Sequence, residues 1–216
     1  MKLGKIVLGF LLVFGLALSN TADAAIIEGR VQLPASQDAP VPVNRYELKN
    51  KNPIGPPPDP VAIVYLEGSF EAGEKGTKKA VMNQENYQFR PGMLAVQTGA
   101  TVEFPNLDDD YHSIFSYSKA KRFDLGRYRK GELSPSVTFE HPGVIKTYCE
   151  IHEHMQGTIV VLDTPYFTST GTDGRYRLED LPAGQFTLKV WFDKGKGLER
   201  AVSLKDGETL EINFPE

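Results

Sequence analysis

Cysteine is nearly absent from this chain: Cys149 is the one example among 216 residues. A lone thiol excludes an intramolecular disulfide framework, so Cys149 is inert, intermolecular or present for its chemistry. Positive charge is not in excess either. Against 28 Asp and Glu stand 24 Lys and Arg, a formal net charge of −4 at pH 7, which argues against a nucleic-acid partner. Long apolar runs are missing beyond the first twenty residues, and neither an internal repeat nor a convincing amphipathic helix is visible. With 40% hydrophobic and 24% charged residues, the chain is neither disordered nor a polytopic membrane protein.

What is abundant points to strands. The chain has 20 Gly and 15 Pro beside 12 Phe and 9 Tyr, a composition of many short strands joined by turns, so an all-β fold is expected. Residues 1–24 are read separately. Lys2 and Lys5 precede an apolar run over residues 6–18, too short to span a bilayer comfortably, and Ala22-Asp23-Ala24 offers a signal-peptidase site. This predicts an export signal, a mature chain from Ala25 with no membrane span, and a periplasmic or secreted location. The mature chain would carry 22 basic and 27 acidic residues, a net charge of −5. Export also places Cys149 in an oxidising compartment, where an unprotected thiol is at risk.

Strands are expected over residues 26–31, 61–66, 93–96, 101–104, 137–139, 144–149 and 158–162, with a proline-rich loop over residues 50–60. Residues 116–132, basic and punctuated by glycine, read as a long surface loop. Asp173-Gly174 reads as a hairpin turn, and alternation of Phe186, Leu188, Val190 and Phe192 with polar neighbours predicts a half-buried strand.

All four histidines fall between residues 112 and 154, with the cysteine among them. Copper cycling between Cu(I) and Cu(II) needs a soft thiolate, imidazoles acceptable to both states and an intermediate geometry, which a His2Cys set with a weak axial Met supplies. Cys149, His152 and Met155 are spaced three apart, so one tight loop can turn all three side chains to a point, and His112 is placed to join them from an adjacent strand. Coordination would also protect the thiol. His154 and His141 read as solvent-facing, and Asp108, Asp109 and Asp110 as a solvated turn rather than a hard-cation site.

The run from Phe104-Pro105-Asn106 to His112, followed by Cys149-x2-His152-x2-Met155, resembles the copper motif of the cupredoxins, the plastocyanin and amicyanin group of blue-copper proteins. Residues 91–104 resemble the strand pair leading into the first ligand of that family. The resemblance covers residues 77–163 and implies a Greek-key β-sandwich. It implies one type 1 copper with His112, Cys149 and His152 as equatorial ligands and Met155 as axial ligand. It further implies outer-sphere transfer of single electrons between redox partner proteins, with the His152 ring edge as exit and the basic residues between Lys119 and Lys130 steering the encounter. Ser113 departs from the Asn common after the first ligand.

Residues 170–188, with Thr172-Asp173-Gly174-x-Tyr176 and Leu181-Pro182-Ala183-Gly184-x-Phe186, resemble the carboxypeptidase regulatory-like domain, a small transthyretin-like sandwich. Strands resembling its first ones lie at residues 27–31 and 62–66. Residues 25–72 and 166–216 are therefore expected to form one sandwich with the copper region inserted. The combination resembles exported proteins described as methylamine-utilisation-like, from which no methylamine chemistry follows. No substrate pocket is argued and no enzyme is expected. Three other readings remain at this point. A Cys149–His152 nucleophile lacks an orienting residue, and a zinc site is disfavoured by Met155. A copper carrier, sensor or interaction protein without electron transfer shares the same site residues.

Overall fold

The computed structural model describes residues 23–35, 54–70, 79–194 and 196–215. Most of the export-signal segment and much of the proline-rich stretch lie outside these residues. Every regular element among the described residues is a β-strand, and none of them forms a helix long and apolar enough to cross a membrane.

Strands β1 (Ala25–Arg30) and β2 (Ile63–Glu67) come first. A continuous stretch of ten follows: β3 (Lys79–Val81), β4 (Asn83–Glu85), β5 (Gln88–Arg90), β6 (Met93–Gln97), β7 (Thr101–Glu103), β8 (His112–Tyr117), β9 (Arg122–Tyr128), β10 (Ser136–Thr138), β11 (Gly143–Tyr148) and β12 (Gln156–Leu162). The chain ends with β13 (Phe167–Ser169), β14 (Arg175–Leu181), β15 (Gly184–Trp191), β16 (Leu198–Leu204) and β17 (Thr209–Glu211).

Within the middle stretch, a sheet ordered β10-β7-β3 faces one ordered β6-β12-β11-β8-β9, with β4 and β5 as a separate hairpin. Between them lies a core that includes Phe89, Val102, Phe104, Ile114, Phe139, Ile145 and Ile159. The outer strands make a second pair of sheets. One is ordered β14-β1-β17 and the other β13-β2-β15-β16, so β1 and β2 pair with strands that follow residue 166. Ile27, Val64, Leu66, Tyr176, Leu188 and Phe214 fill the core between those two sheets.

A third cluster joins the two sandwiches. Ile63, Met93, Val160 and Leu162 are buried together, with Tyr65, Phe167 and Trp191 packed against them. Alternation explains the assignment, because successive strand residues point to opposite faces. Val64 and Leu66 enter one core while Ile63 and Tyr65 face the junction, and Ile159 and Val161 enter the other core while Val160 and Leu162 face back. Strands buried on both faces read as continuous apolar runs, which is why residues 61–66 and 158–162 lack polar alternation. A polar contact reinforces the junction, where the Asp193 carboxylate accepts from Thr158 Oγ1 at 2.7 Å and from the Lys146 ammonium.

Two expectations need correction. Residues 116–132 are not a long loop, since Tyr117 ends β8 and residues 122–128 pair with it as β9. Phe123 and Leu125 face the core while Arg122 and Asp124 face outward, and the period is broken by Gly126 at φ +69° and by a register shift opposite Ser113–Phe115. Asp173-Gly174 does form a turn, yet it joins β13 to β14 in different sheets rather than closing a hairpin. The turn is tied to β1 by a bond from Val31 N to Gly174 O, 2.9 Å.

Gly174 combines a left-handed backbone, φ +81°, with a backbone approach in which an added Cβ would collide with the Val31 carbonyl oxygen. Gly174→Ala is expected to lower stability by about 1–3 kcal/mol, read as a lower urea midpoint with an unchanged slope. An unchanged midpoint would show that the turn relaxes freely.

Candidate metal centre

At one end of the middle sandwich, three strand ends converge. His112 opens β8, Cys149 follows the last residue of β11, and the loop 149–155 returns the chain into β12. That loop closes on itself: Cys149 N donates to Met155 O at 3.3 Å, and Met155 N donates to His152 O at 2.8 Å. The turn therefore swings His152 back over Cys149, as the three-residue spacing requires.

The donor atoms of His112, Cys149 and His152 all lie within 4.8 Å of one another, and all three residues are buried. The two Nδ1 atoms are 3.0 Å apart, and Cys149 Sγ is 3.9 Å from His152 Nδ1. Met155 is wholly buried in the same core as Cys149. The structure thus brings together the three residues expected as equatorial ligands and seats the expected axial one inside the core at the end of their loop.

Supporting bonds fix the orientation of each ring. His112 Nε2 donates to Asp108 Oδ2 at 2.8 Å, which leaves Nδ1 facing the cluster. Asp108 also accepts from Asn86 N at 2.7 Å and Tyr87 N at 2.9 Å. The loop before His112 is wound around Asn106, whose Nδ2 donates to Asp110 O and Tyr128 O while its Oδ1 accepts from Asp108 N. Ser113 Oγ accepts from Glu150 N at 2.8 Å and lies 3.9 Å from Cys149 Sγ. Ser113 thus ties β8 to the 149–155 loop.

Two acidic and basic assignments from the sequence change here. Asp108 is buried, and only Asp109 of the three aspartates is solvated in the expected way, 3.4 Å from Lys130 Nζ. Asp110 Oδ2 lies 3.9 Å from His152 Nε2. His154 is half-buried rather than solvent-facing, because the loop is turned and not extended, and its Nε2 donates to Tyr87 O at 3.1 Å. His141 is exposed. Tyr87 was not singled out by sequence; its ring packs edge-on against both His112 and His152.

The electrostatics favour an ionised thiol. Burial alone would push the Cys149 thiol up, but hydrogen bonds from His112 and His152 outweigh it and hold it at about 5 instead of 9.0. Burial likewise disfavours the His112 cation, yet the Asp108 carboxylate and the thiolate raise it from 6.5 to about 9. At neutral pH the metal-free cluster is therefore a thiolate beside an imidazolium. A metal ion that takes the place of the His112 Nδ1 proton meets a soft sulfur and two imidazole nitrogens with no carboxylate among them, a donor set that fits copper or zinc.

The thiolate's contribution to stability is present above its ordinary pKa and is lost as the pH falls through about 5. That of the imidazolium is complete below 6.5 and is lost as the pH rises through about 9. Ultraviolet absorbance of the thiolate in metal-free protein is expected to titrate near the lower limit. A midpoint at the ordinary thiol value would refute the ion pair.

No protein-family model matches the chain, and no curated protein matches it. Parts of the chain are similar to solved structures. Copper-containing nitrite reductase from Thermus scotoductus SA-01 is 24% identical over 45% of this chain and 25% of its own, with a TM-score of 0.39. This chain thus spans a quarter of that protein. Amicyanin from Paracoccus versutus is 18% identical over 41% of this chain and 86% of its own, TM-score 0.36, and the purple cupredoxin from Nitrosopumilus maritimus is 26% identical over 39% and 98%, TM-score 0.34.

Proposed function

We propose that this chain is an exported type 1 copper protein that carries single electrons between redox partner proteins. One copper would be held by His112, Cys149 and His152, with Met155 as the weak axial donor. The observation that carries the reading is the buried convergence of one thiol and two imidazoles within 4.8 Å. When bound, copper supplies a one-electron couple between Cu(I) and Cu(II). Zinc would use the same three donors, but a thioether is a poor zinc ligand, and Met155 closes the loop at the ligand spacing.

The residues of the chain do the rest. Asp108 fixes the His112 tautomer, Ser113 joins the two ligand-bearing segments, and the surrounding core keeps water from the sulfur. His152 is the most exposed of the three, 8% against 0% for His112 and 3% for Cys149, so its ring edge would be the route by which an electron leaves. The basic segment after the first ligand is partly balanced by acids, since Lys121 pairs with Glu140, Arg127 with Glu150 and Lys130 with Asp109. Exposed pairs of this kind stabilise little and instead set the charge pattern that a partner meets. Strands β1, β2 and β13–β17 would form a carboxypeptidase regulatory-like sandwich, a kind of module that serves docking or carbohydrate contact. In this reading the protein acts as a carrier of electrons rather than as an enzyme.

Purified protein titrated with Cu(II) is expected to bind one ion per chain and to become intensely coloured through thiolate-to-copper charge transfer. It should be reduced and reoxidised repeatedly, and Cys149→Ser should remain colourless. A pale copper form, or one that cannot be cycled, would overturn the electron-carrier reading.

A further inference from the structure

We propose that Tyr87 is a positioning residue for both histidines of the metal centre, clamping together the two loops that carry them. This rests on the copper reading above. The β4–β5 hairpin turns through Asn86 and Tyr87, both with left-handed backbones, φ 54° and 58°. Asparagine adopts that region readily, whereas a bulky aromatic residue seldom does, and glycine would close the turn without steric conflict. A tyrosine in this conformation therefore needs a reason in its side chain.

The ring supplies one. It is 1% exposed and stands nearly perpendicular to both imidazoles, with centroids 5.5 Å from His112 and 4.9 Å from His152. Edge-on aromatic packing has a preferred geometry, so one ring in contact with both imidazoles restricts the swing of each. The backbone of the same residue completes the clamp. Its N–H donates to Asp108, the carboxylate that also holds His112, and its carbonyl accepts from His154, two residues beyond His152. One residue is thus bonded to the loop before the first histidine and to the loop around the second. The 3.0 Å approach of the two Nδ1 atoms is set between these fixed points.

The test uses the full chain with Tyr87→Phe, Tyr87→Gly and Tyr87→Asn, and Cu(II) as the probe. Gly and Asn both suit the left-handed turn, so these variants keep the hairpin while removing the ring. Tyr87→Phe should retain the copper affinity and the visible spectrum. Tyr87→Gly and Tyr87→Asn should stay folded by circular dichroism, yet bind copper about 10- to 100-fold more weakly, with a shifted charge-transfer band. In the metal-free proteins, the ring proton resonances of His112 and His152 should move toward that of exposed His141 in the Gly and Asn variants only. Wild-type affinity and unmoved resonances in Tyr87→Gly would overturn the proposal, as would the same loss in Tyr87→Phe, which keeps the ring. Failure of the wild-type chain to bind copper would sink the copper reading alone, because the metal-free resonances still decide the role of Tyr87.

Discussion

Asp108 sets two carboxylate oxygens against three donors: the backbone N–H groups of Asn86 and Tyr87, and the imidazole of His112. Burial would raise its pKa, and these bonds reverse that and hold it below the ordinary carboxylate value. A buried carboxylate is costly unless its oxygens are bonded, and here that cost is met by the parts the site has to hold in place. The hairpin tip, the first histidine and, through the histidine, the cysteine thiolate are joined in one chain of charge-assisted bonds. The end of the sandwich that carries His112, Cys149 and His152 is tied to the β4–β5 hairpin through this residue.

Several strands could be read from sequence where burial is one-sided or complete, although β5, β8 and β14 were not. Alternation marks residues 186–192, and unbroken apolar runs mark β2 and β12, whose two faces are both covered. The convergence of His112, Cys149 and His152 was legible because a thiol and an imidazole three residues apart, with a histidine upstream, are rare in chance sequence. Other features carried no such mark. Three consecutive aspartates look alike until a turn is built against them, and only then does one become buried while its neighbour pairs with Lys130. The strand β9 was hidden because Gly126 interrupts its alternation at the edge of the sheet. Asn86-Tyr87 carries no common turn signature, so neither the hairpin nor the ring above the histidines could be anticipated.

The pattern of strand pairing also bears on how the chain is assembled during synthesis. Every strand around the His112–Cys149–His152 cluster lies in one uninterrupted stretch from Lys79 to Leu162. By contrast, β1 pairs with β14 and β17, and a bond from Arg30 N to the Asn213 side chain spans 183 positions. Closing so long a loop has an entropic cost that is recovered only when the distant partner exists. As the chain emerges from its N-terminus, the contiguous strands can pair while β1 and β2 still wait for theirs. Until the last fifty residues arrive, Val160 and Leu162 lack the cover of Phe167 and Trp191, and β2, which carries Ile63 and Tyr65, lacks its sheet partners β13 and β15, so apolar surface at the junction stays open to aggregation in that interval.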